Sequence, residues 1–568
     1  MRRRVFLSGA ILTGAGVPLL AGCKLPRQSK RQAGSASASA SAGGSAAVPA
    51  ASSAPQGWQE LDAHVMGHHL GFQVSPLVRR DEKTTVLALK LTRAKDDASV
   101  KEVSDAFPNS SKNVFEASSP LSRPGLGKTF DWGANGVRLL DLPTNQAWVA
   151  TDSIENKVED NYNDLSLKPG ESTSCFVLFG PVDAKQVTVF VPQAGFVTVN
   201  VLDSSAAAAS GIDFKAMDKA FKNVDNLNYN KYKTAPNPAL ASPVAIERYT
   251  KALDDSTSTH TGSKDITVTL ASDVTFASDS ADLASGAEAQ LQTVASQLKQ
   301  HPDGGTLTIV GHTDDVQDDA YNQTLSEKRA NAVKTRLEQL TSLDKWQTSV
   351  SGKGESEPRI NDTSDEARAA NRRVEITLTP TGGTTPKNTT TPTPGSSGKL
   401  PDPQGPVAKG SDGVTVKNDS GDDHLTITID HVTRTNGYLL GQLHTTISAK
   451  KNSAPNLHAW FKDKEGIFIT NSRGEDGSNE ATIHAADGLT LLAGGERIYP
   501  ADYRDADFKT HVPLTELALT PFIKAGTTTI CVVWPDPGGD TITLDHLPAP
   551  HLGSSYAYRL TDIPIKNS

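Results

Sequence analysis

Two stretches of this chain cannot bury a core, and their positions limit what the rest can become. Residues 24–57 collapse to Ala, Ser and Gly, including SASASASAGGSAA, and residues 381–404 read TGGTTPKNTTTPTPGSSGKLPDPQ. The first reads as a flexible tether, with an r.m.s. span of about 30 Å and a stretched reach near about 110 Å. The second, rich in Pro and Thr, reads as a stiffer spacer. They leave blocks at 58–203, 264–380 and 405–568, with a weakly patterned connector at 204–263. At about 150 residues per domain, 568 residues are ample for several cores.

The start of the chain reads as an address. Residues 1–23 are MRRRVFLSGAILTGAGVPLLAGC. Arg2, Arg3 and Arg4 form a basic region, and an apolar stretch too short and Gly-rich to span a membrane stably follows. The ending Leu20-Ala21-Gly22-Cys23 resembles a bacterial lipobox, and Arg3-Arg4-Val5-Phe6-Leu7 resembles a twin-arginine export signal. The resemblance implies a Cys23 that carries acyl chains. Each buried methylene contributes about 0.8 kcal/mol, so two or three chains hold a protein on a membrane. The expected location is the cell envelope, outside the cytoplasm, lipid-anchored on the outer face of the plasma membrane. No second apolar run is long enough for a transmembrane helix.

The outer blocks read as all-β. Leu87, Leu89 and Leu91 alternate with polar or small residues, as do Val187, Val189 and Val191, Val197, Val199 and Val201, and Leu425, Ile427 and Ile429. Such short strands with Gly and Pro turns predict two immunoglobulin-like β-sandwiches flanking the middle block. The blocks also resemble each other: at an offset of 356, segments 168–192 and 524–548 share seven identities in 25 positions. Cys175 and Cys531 fall at equivalent strand positions in these separate sandwiches. Apolar neighbours make them buried free thiols.

The middle block alternates strands and helices, predicting a β-α-β-α-β sandwich. Ile266, Val268 and Leu270 mark one strand, 306–310 another, and Val374, Ile376 and Leu378 the last. Asn322 is the expected N-cap of a helix reaching Leu340, and Thr363 with Glu366 forms a capping-box pattern. Within that first helix Leu325, Arg329, Val333 and Leu337 share a face. A guanidinium is seldom buried without an anionic partner. That partner is either a carboxylate of the fold or a ligand carboxylate. Asp314 lies in the preceding strand-to-helix loop, a usual place for a site in α/β sheets. Together the acid and the Arg could clamp a zwitterion, one end on its ammonium and the other on its carboxylate.

The motifs Gly311-His312-Thr313-Asp314, Tyr321-Asn322, Leu325-Ser326, Arg329-Ala330, Gly352-Lys353-Gly354-Glu355 and Asn371-Arg372-Arg373-Val374-Glu375 resemble the OmpA-like peptidoglycan-binding domain. So does Val274-Thr275-Phe276 with Leu283. In that family the Asp after Thr and the Arg before Ala bind the diaminopimelate of the peptidoglycan stem peptide. By position these are Asp314 and Arg329, with Thr313, Asn322, Leu325, Ser326 and Arg372 on the same motifs. The loop 315–320 (DVQDDA) lacks a glycine often found in the family. The resemblance implies binding without catalysis, no cofactor, and a lipoprotein joining membrane to wall. The rival expectation makes the sandwiches an adhesion, scaffolding or ligand-binding device with protein partners, and the middle block only an anchor. An aromatic patch at Trp132, Trp148, Trp460 or Trp534 would favour it.

Other chemistries find little support. A net charge of −9 argues against a nucleic-acid partner. Three cysteines exclude a disulfide scaffold or a four-Cys zinc site. His64, His68 and His69 lie close together without a supporting Cys or acid pattern, so no metal is expected. The acids of the 314–319 loop lack EF-hand spacing. A P-loop, HExxH or G-x-S-x-G is missing, and a wall hydrolase would need a catalytic pair that is not visible.

Overall fold

The computed structural model describes residues 57–104, 110–123, 133–155, 165–226, 242–277, 279–384, 400–418, 423–449, 457–462, 484–505, 510–519, 523–547 and 556–568. The leader 1–23 with Cys23, the tether 24–57 except its last residue, Trp132 and residues 385–399 of the second spacer lie outside them.

The alternating apolar residues do form strands. Leu87, Leu89 and Leu91 are fully buried in the strand Thr85–Arg93, and Leu425 and Ile427 in His424–Thr428. The chain is mostly sheet, in several sheets.

The strand orders of the outer blocks coincide. In hydrogen-bonded sequence the first half runs Gln59–Val65, His68–Val74, Thr85–Arg93, Leu77–Arg79, Gly195–Leu202, Gln186–Val191, Arg138–Asp141, Gln146–Val149. The second runs Val414–Lys417, His424–Thr428, Tyr438–Ser448, Val432–Thr435, Tyr558–Asn567, Thr541–His546, Thr490–Ala493, Glu496–Ile498. Even the parallel pairing recurs at the same place, between the fourth and fifth strands of each series. The strands Ser172–Phe179 and Ala525–Pro535, which hold the matched Thr173/Thr529, Cys175/Cys531 and Val177/Val533, branch from the third strand in both. Cys175 and Cys531 are free and buried there. The connector completes both series: Val244–Ala245 pairs with the last strand of the first half, and Arg248–Ala252 with that of the second.

The halves are not separate sandwiches, as the sequence suggests, but share one core. A single apolar cluster runs from Phe72, Leu89 and Val189 to Leu443, Val532 and Trp534. Polar contacts cross the junction. Arg123 Nη1 meets Asp505 Oδ2 at 2.8 Å, Tyr438 Oη donates to Asn145 Oδ1 at 2.7 Å, and Arg138 Nη2 donates to the Thr515 carbonyl at 2.8 Å. These pairs join residues 382, 293 and 377 positions apart, beyond any local pattern. Trp148, Trp460 and Trp534 belong to this core, so none forms an exposed patch.

The middle block has its own core. Its sheet runs Trp346–Gly352, Gly305–Gly311, Arg373–Pro380, Ile266–Ala271, with the first pair parallel and the others antiparallel. Thr257–Thr261 extends it and pairs with Arg248–Ala252, so the sheet continues into the second half. Helices Ala287–Gln300 and Asp319–Leu340 contribute Leu291, Val294, Leu298, Ala330, Val333 and Leu337 to the core. Asp318, not Asn322, caps the longer helix, its side chain accepting from Tyr321 N. Ser364, not Thr363, caps the short helix Asp365–Asn371. No helix of the described residues is long and apolar enough to cross a membrane.

The long helix sits on two paired glycines. A Cβ on Gly311 would meet the Ser326 carbonyl oxygen, and one on Gly352 the Ser326 hydroxyl. Because backbone blocks the first of these, Gly311→Ala should cost about 1–3 kcal/mol, read as a lower denaturation midpoint. An unchanged midpoint would mean that the helix can lift from the sheet freely.

Candidate functional site

Three segments meet at the carboxyl end of the Gly305–Gly311 strand, and Arg372, at the end of the short helix Asp365–Asn371, closes the side. The segments are the short helix Ser272–Thr275 with the loop after it, the loop from Thr313 to Asp318, and the first turns of the long helix. Between them lies a cleft of about 440 Å³.

Arg329 forms one wall. It is only 5 % exposed. Its Nε donates to the Ser280 carbonyl at 2.9 Å, and its guanidinium lies 5.2 Å from the centre of the Phe276 ring. Among the described residues no carboxylate oxygen lies within ion-pair distance, and Nη1 and Nη2 make no hydrogen bond. Burial pushes its pKa down, and the fields of Asp273, Asp279 and Asp314 oppose that. An arginine stays charged throughout the ordinary range. The structural ion pair left open by the sequence is therefore not what this arginine makes. A positioned, charged fork of N–H donors faces the cleft instead.

Arg372 is held differently. Nε and Nη2 grip both oxygens of Asp273 at 2.8 and 2.7 Å, and Nη1 reaches Asp314 Oδ2 at 2.7 Å. These hydrogen bonds hold the Asp273 carboxyl below its usual range and raise Arg372. Asp314 thus enters the cleft with Oδ2 tied to Arg372 and Oδ1 accepting only a long hydrogen bond from Val316 N at 3.4 Å. Asp279 also lines it, exposed and without a hydrogen bond to another described residue. Three acids against two arginines leave the cleft with one net negative charge, suited to a ligand carrying ammonium as well as carboxylate.

The remaining candidates divide. Thr313 lines the cleft with a buried Oγ1 that has no hydrogen-bond partner. Leu325 supplies apolar wall. Asn322 lines the cleft, but its amide braces the loop, donating to the carbonyls of Asp314 and Gln317 at 3.2 and 3.0 Å and to Glu355 Oε2 at 2.6 Å. Ser326 does not line it; its hydroxyl accepts from Gly354 N at 3.0 Å and donates to the Gln323 carbonyl. The loop acids are structural: Asp315 pairs with Arg368 at 2.8 Å, and Asp318 is the helix cap. His312 is buried, and desolvation, with Arg373 nearby, lowers its pKa to about 4, so its ring is neutral. His68 and His69 engage different acids, Asp97 at 2.7 Å and Asp62 at 2.5 Å.

No sequence pattern points to Asp273 and Ser280, which bond Arg372 and Arg329 from about 50 to 100 positions away, or to Asp279, which lines the cleft beside them. Phe276 and Tyr321, both within the family-like motifs, also line the cleft.

Residues 275–372 match the model of the OmpA family. This segment is an OmpA-family domain. Outer membrane porin F of Pseudomonas aeruginosa is 42% identical to the chain over 103 residues, 18% of this chain and 29% of that protein. The probable lipoprotein YiaD of Escherichia coli is 34% identical over 116 residues, 20% of this chain and 52% of its own length. The chain thus spans only about a third to a half of these relatives. A crystal structure of the peptidoglycan-associated lipoprotein from Burkholderia pseudomallei is 30% identical, covering 20% of this chain and 87% of that one, with a TM-score of 0.17. The OmpA-family match covers the cleft residues from Phe276 to Arg372, and Ser272 and Asp273 lie just before it.

Proposed function

We propose that the OmpA-family domain binds peptidoglycan noncovalently and attaches this protein to the cell wall, gripping the diaminopimelate of the stem peptide. The observation that carries the reading is Arg329, a buried guanidinium with no carboxylate partner among the described residues and its Nη fork at the cleft wall. In this reading the fork takes the terminal carboxylate of diaminopimelate, the Thr313 hydroxyl adds a hydrogen bond, and Asp314 and Asp279 take the ammonium. Arg372 is a positioning residue that fixes Asp314. No bond is made or broken, and the protein is not an enzyme.

Cys23 would carry the lipid as the new N-terminus after removal of residues 1–22. Residues 24–57 and 381–404 then act as spacers, and the two β-rich halves, 58–203 and 405–568, stand in the cell envelope on their shared core. A single weak wall site suffices, because the anchor and the repeating polymer raise the effective concentration.

Stem peptides of the two common chemistries test this reading. Lysine has the ammonium but lacks the terminal carboxylate, so the Arg329 fork is left unpaired. Charge-assisted hydrogen bonds contribute about 1.5–3 kcal/mol each, so calorimetry with the full chain should show the lysine peptide binding at least about tenfold more weakly. Equal affinity for both peptides, or no binding of either, would remove diaminopimelate as the ligand.

A further inference from the structure

Glu247, His260 and His511 lie outside the cleft, where the OmpA-family domain meets the second half. His260 Nε2 approaches Glu247 Oε2 at 2.5 Å and His511 Nε2 approaches the same oxygen at 2.7 Å. The three side chains offer one ligand atom each, all within 4.8 Å of one another. We propose that these residues form a binding site for a divalent transition cation of the zinc type.

The donor set suits that chemistry. Two imidazoles and one carboxylate make a borderline N/O set typical of zinc, with a fourth position left for water. Zinc bonds of about 2.0–2.2 Å place tetrahedral donors about 3.3 Å apart, so the two Glu247–His distances need open by less than about 1 Å, while the two histidine nitrogens, within 4.8 Å of each other, need close by no more than about 1.5 Å. A cation between them would replace two hydrogen bonds that now compete for one oxygen.

The three positions are also fixed by backbone. Glu247 and Asp502 exchange both main-chain hydrogen bonds, at 2.7 and 3.0 Å. His260 lies in Thr257–Thr261 opposite Tyr249, and His511 in His511–Pro513 opposite Arg504. The imidazoles are 26 % and 8 % exposed and the carboxylate 16 %, so the cluster is largely shielded yet reachable from solvent. Thr257–Thr261 pairs with Ile266–Ala271 of the domain sheet, whereas His511–Pro513 belongs to the second half. The cation would therefore pin the OmpA-family domain to the second half. This site stands whether or not the cleft binds peptidoglycan.

Chelator-treated full chain is titrated with zinc by calorimetry and with cobalt(II) by visible absorption. One equivalent should bind, with a tetrahedral cobalt spectrum. His260→Ala and His511→Ala should each weaken binding at least tenfold. Deuterium exchange of the wild type, with and without zinc, places the site independently of how well the variants fold. Zinc should slow exchange in the peptides containing Glu247, His260 and His511. No stoichiometric uptake, undiminished uptake by both folded variants, or exchange unchanged in those peptides overturns the proposal.

Discussion

Arg329→Met is expected to weaken binding of a diaminopimelate stem peptide about a hundredfold or more while leaving the fold intact. Truncating one partner of a desolvated charge pair costs about 2–5 kcal/mol, because the other charge stays buried and unpaired. In the free protein the substitution should be mild. Among the described residues Arg329 makes one hydrogen bond, from Nε to the Ser280 carbonyl, and its guanidinium lies against Phe276. An apolar side chain of similar length fits that wall, and replacing a buried charge without an ion partner is often neutral or stabilising. Arg329→Lys should bind poorly as well, since an ammonium cannot reproduce the two-pronged fork. Calorimetry on the full chain, paired with thermal melts, separates binding from folding. Affinity within about threefold of wild type in a folded Arg329→Met protein would sink the clamp.

That arginine was also the most legible part of the site. A charged residue in the stripe of Leu325, Val333 and Leu337 stands out because helical periodicity puts it where burial is expected. The alternation of Leu87, Leu89 and Leu91, and of Leu425 and Ile427, likewise gave strands with the same residues inside. Other features were illegible for physical reasons. Asp318, Asp319 and Asn322 can all cap a helix, and the choice fell to Asp318 once the Asn322 amide was drawn to Asp314, Gln317 and Glu355. Asp273 and Ser280 come to the arginines only through the packing of the 272–280 segment on the domain. The short identity run at an offset of 356 pointed to a duplication, but no pattern within either half shows that their cores merge. That merger depends on contacts such as Arg123 with Asp505, 382 positions apart.

The same junction holds the second large expected effect, at Glu516. It is buried, and its Oε1 accepts from the backbone N–H groups of Gln193 in the first half and Cys531 in the second, each at 2.9 Å. Desolvation pushes its pKa up to about 7, against the opposing pull of those N–H groups and Arg138. In the unfolded chain the ordinary value of 4.5 applies. Between these values the folded protein keeps a proton that the unfolded chain has released. The stability tied to that proton is therefore fully present below pH 4.5 and is lost as pH rises through about 7. The gap corresponds to about 3 kcal/mol. Glu516→Gln keeps a carbonyl for the two N–H groups but cannot ionise. Urea unfolding of both proteins at pH 4.5 and pH 8 should then show the difference in stability moving by about 3 kcal/mol in favour of the variant as pH rises. Taking the difference cancels groups common to both, including the buried His312 and His546. Parallel pH profiles would mean that Glu516 does not titrate in this window. A shift of the expected size would place a proton at the seam between the halves, making their adhesion weaker in alkaline surroundings than in acidic ones.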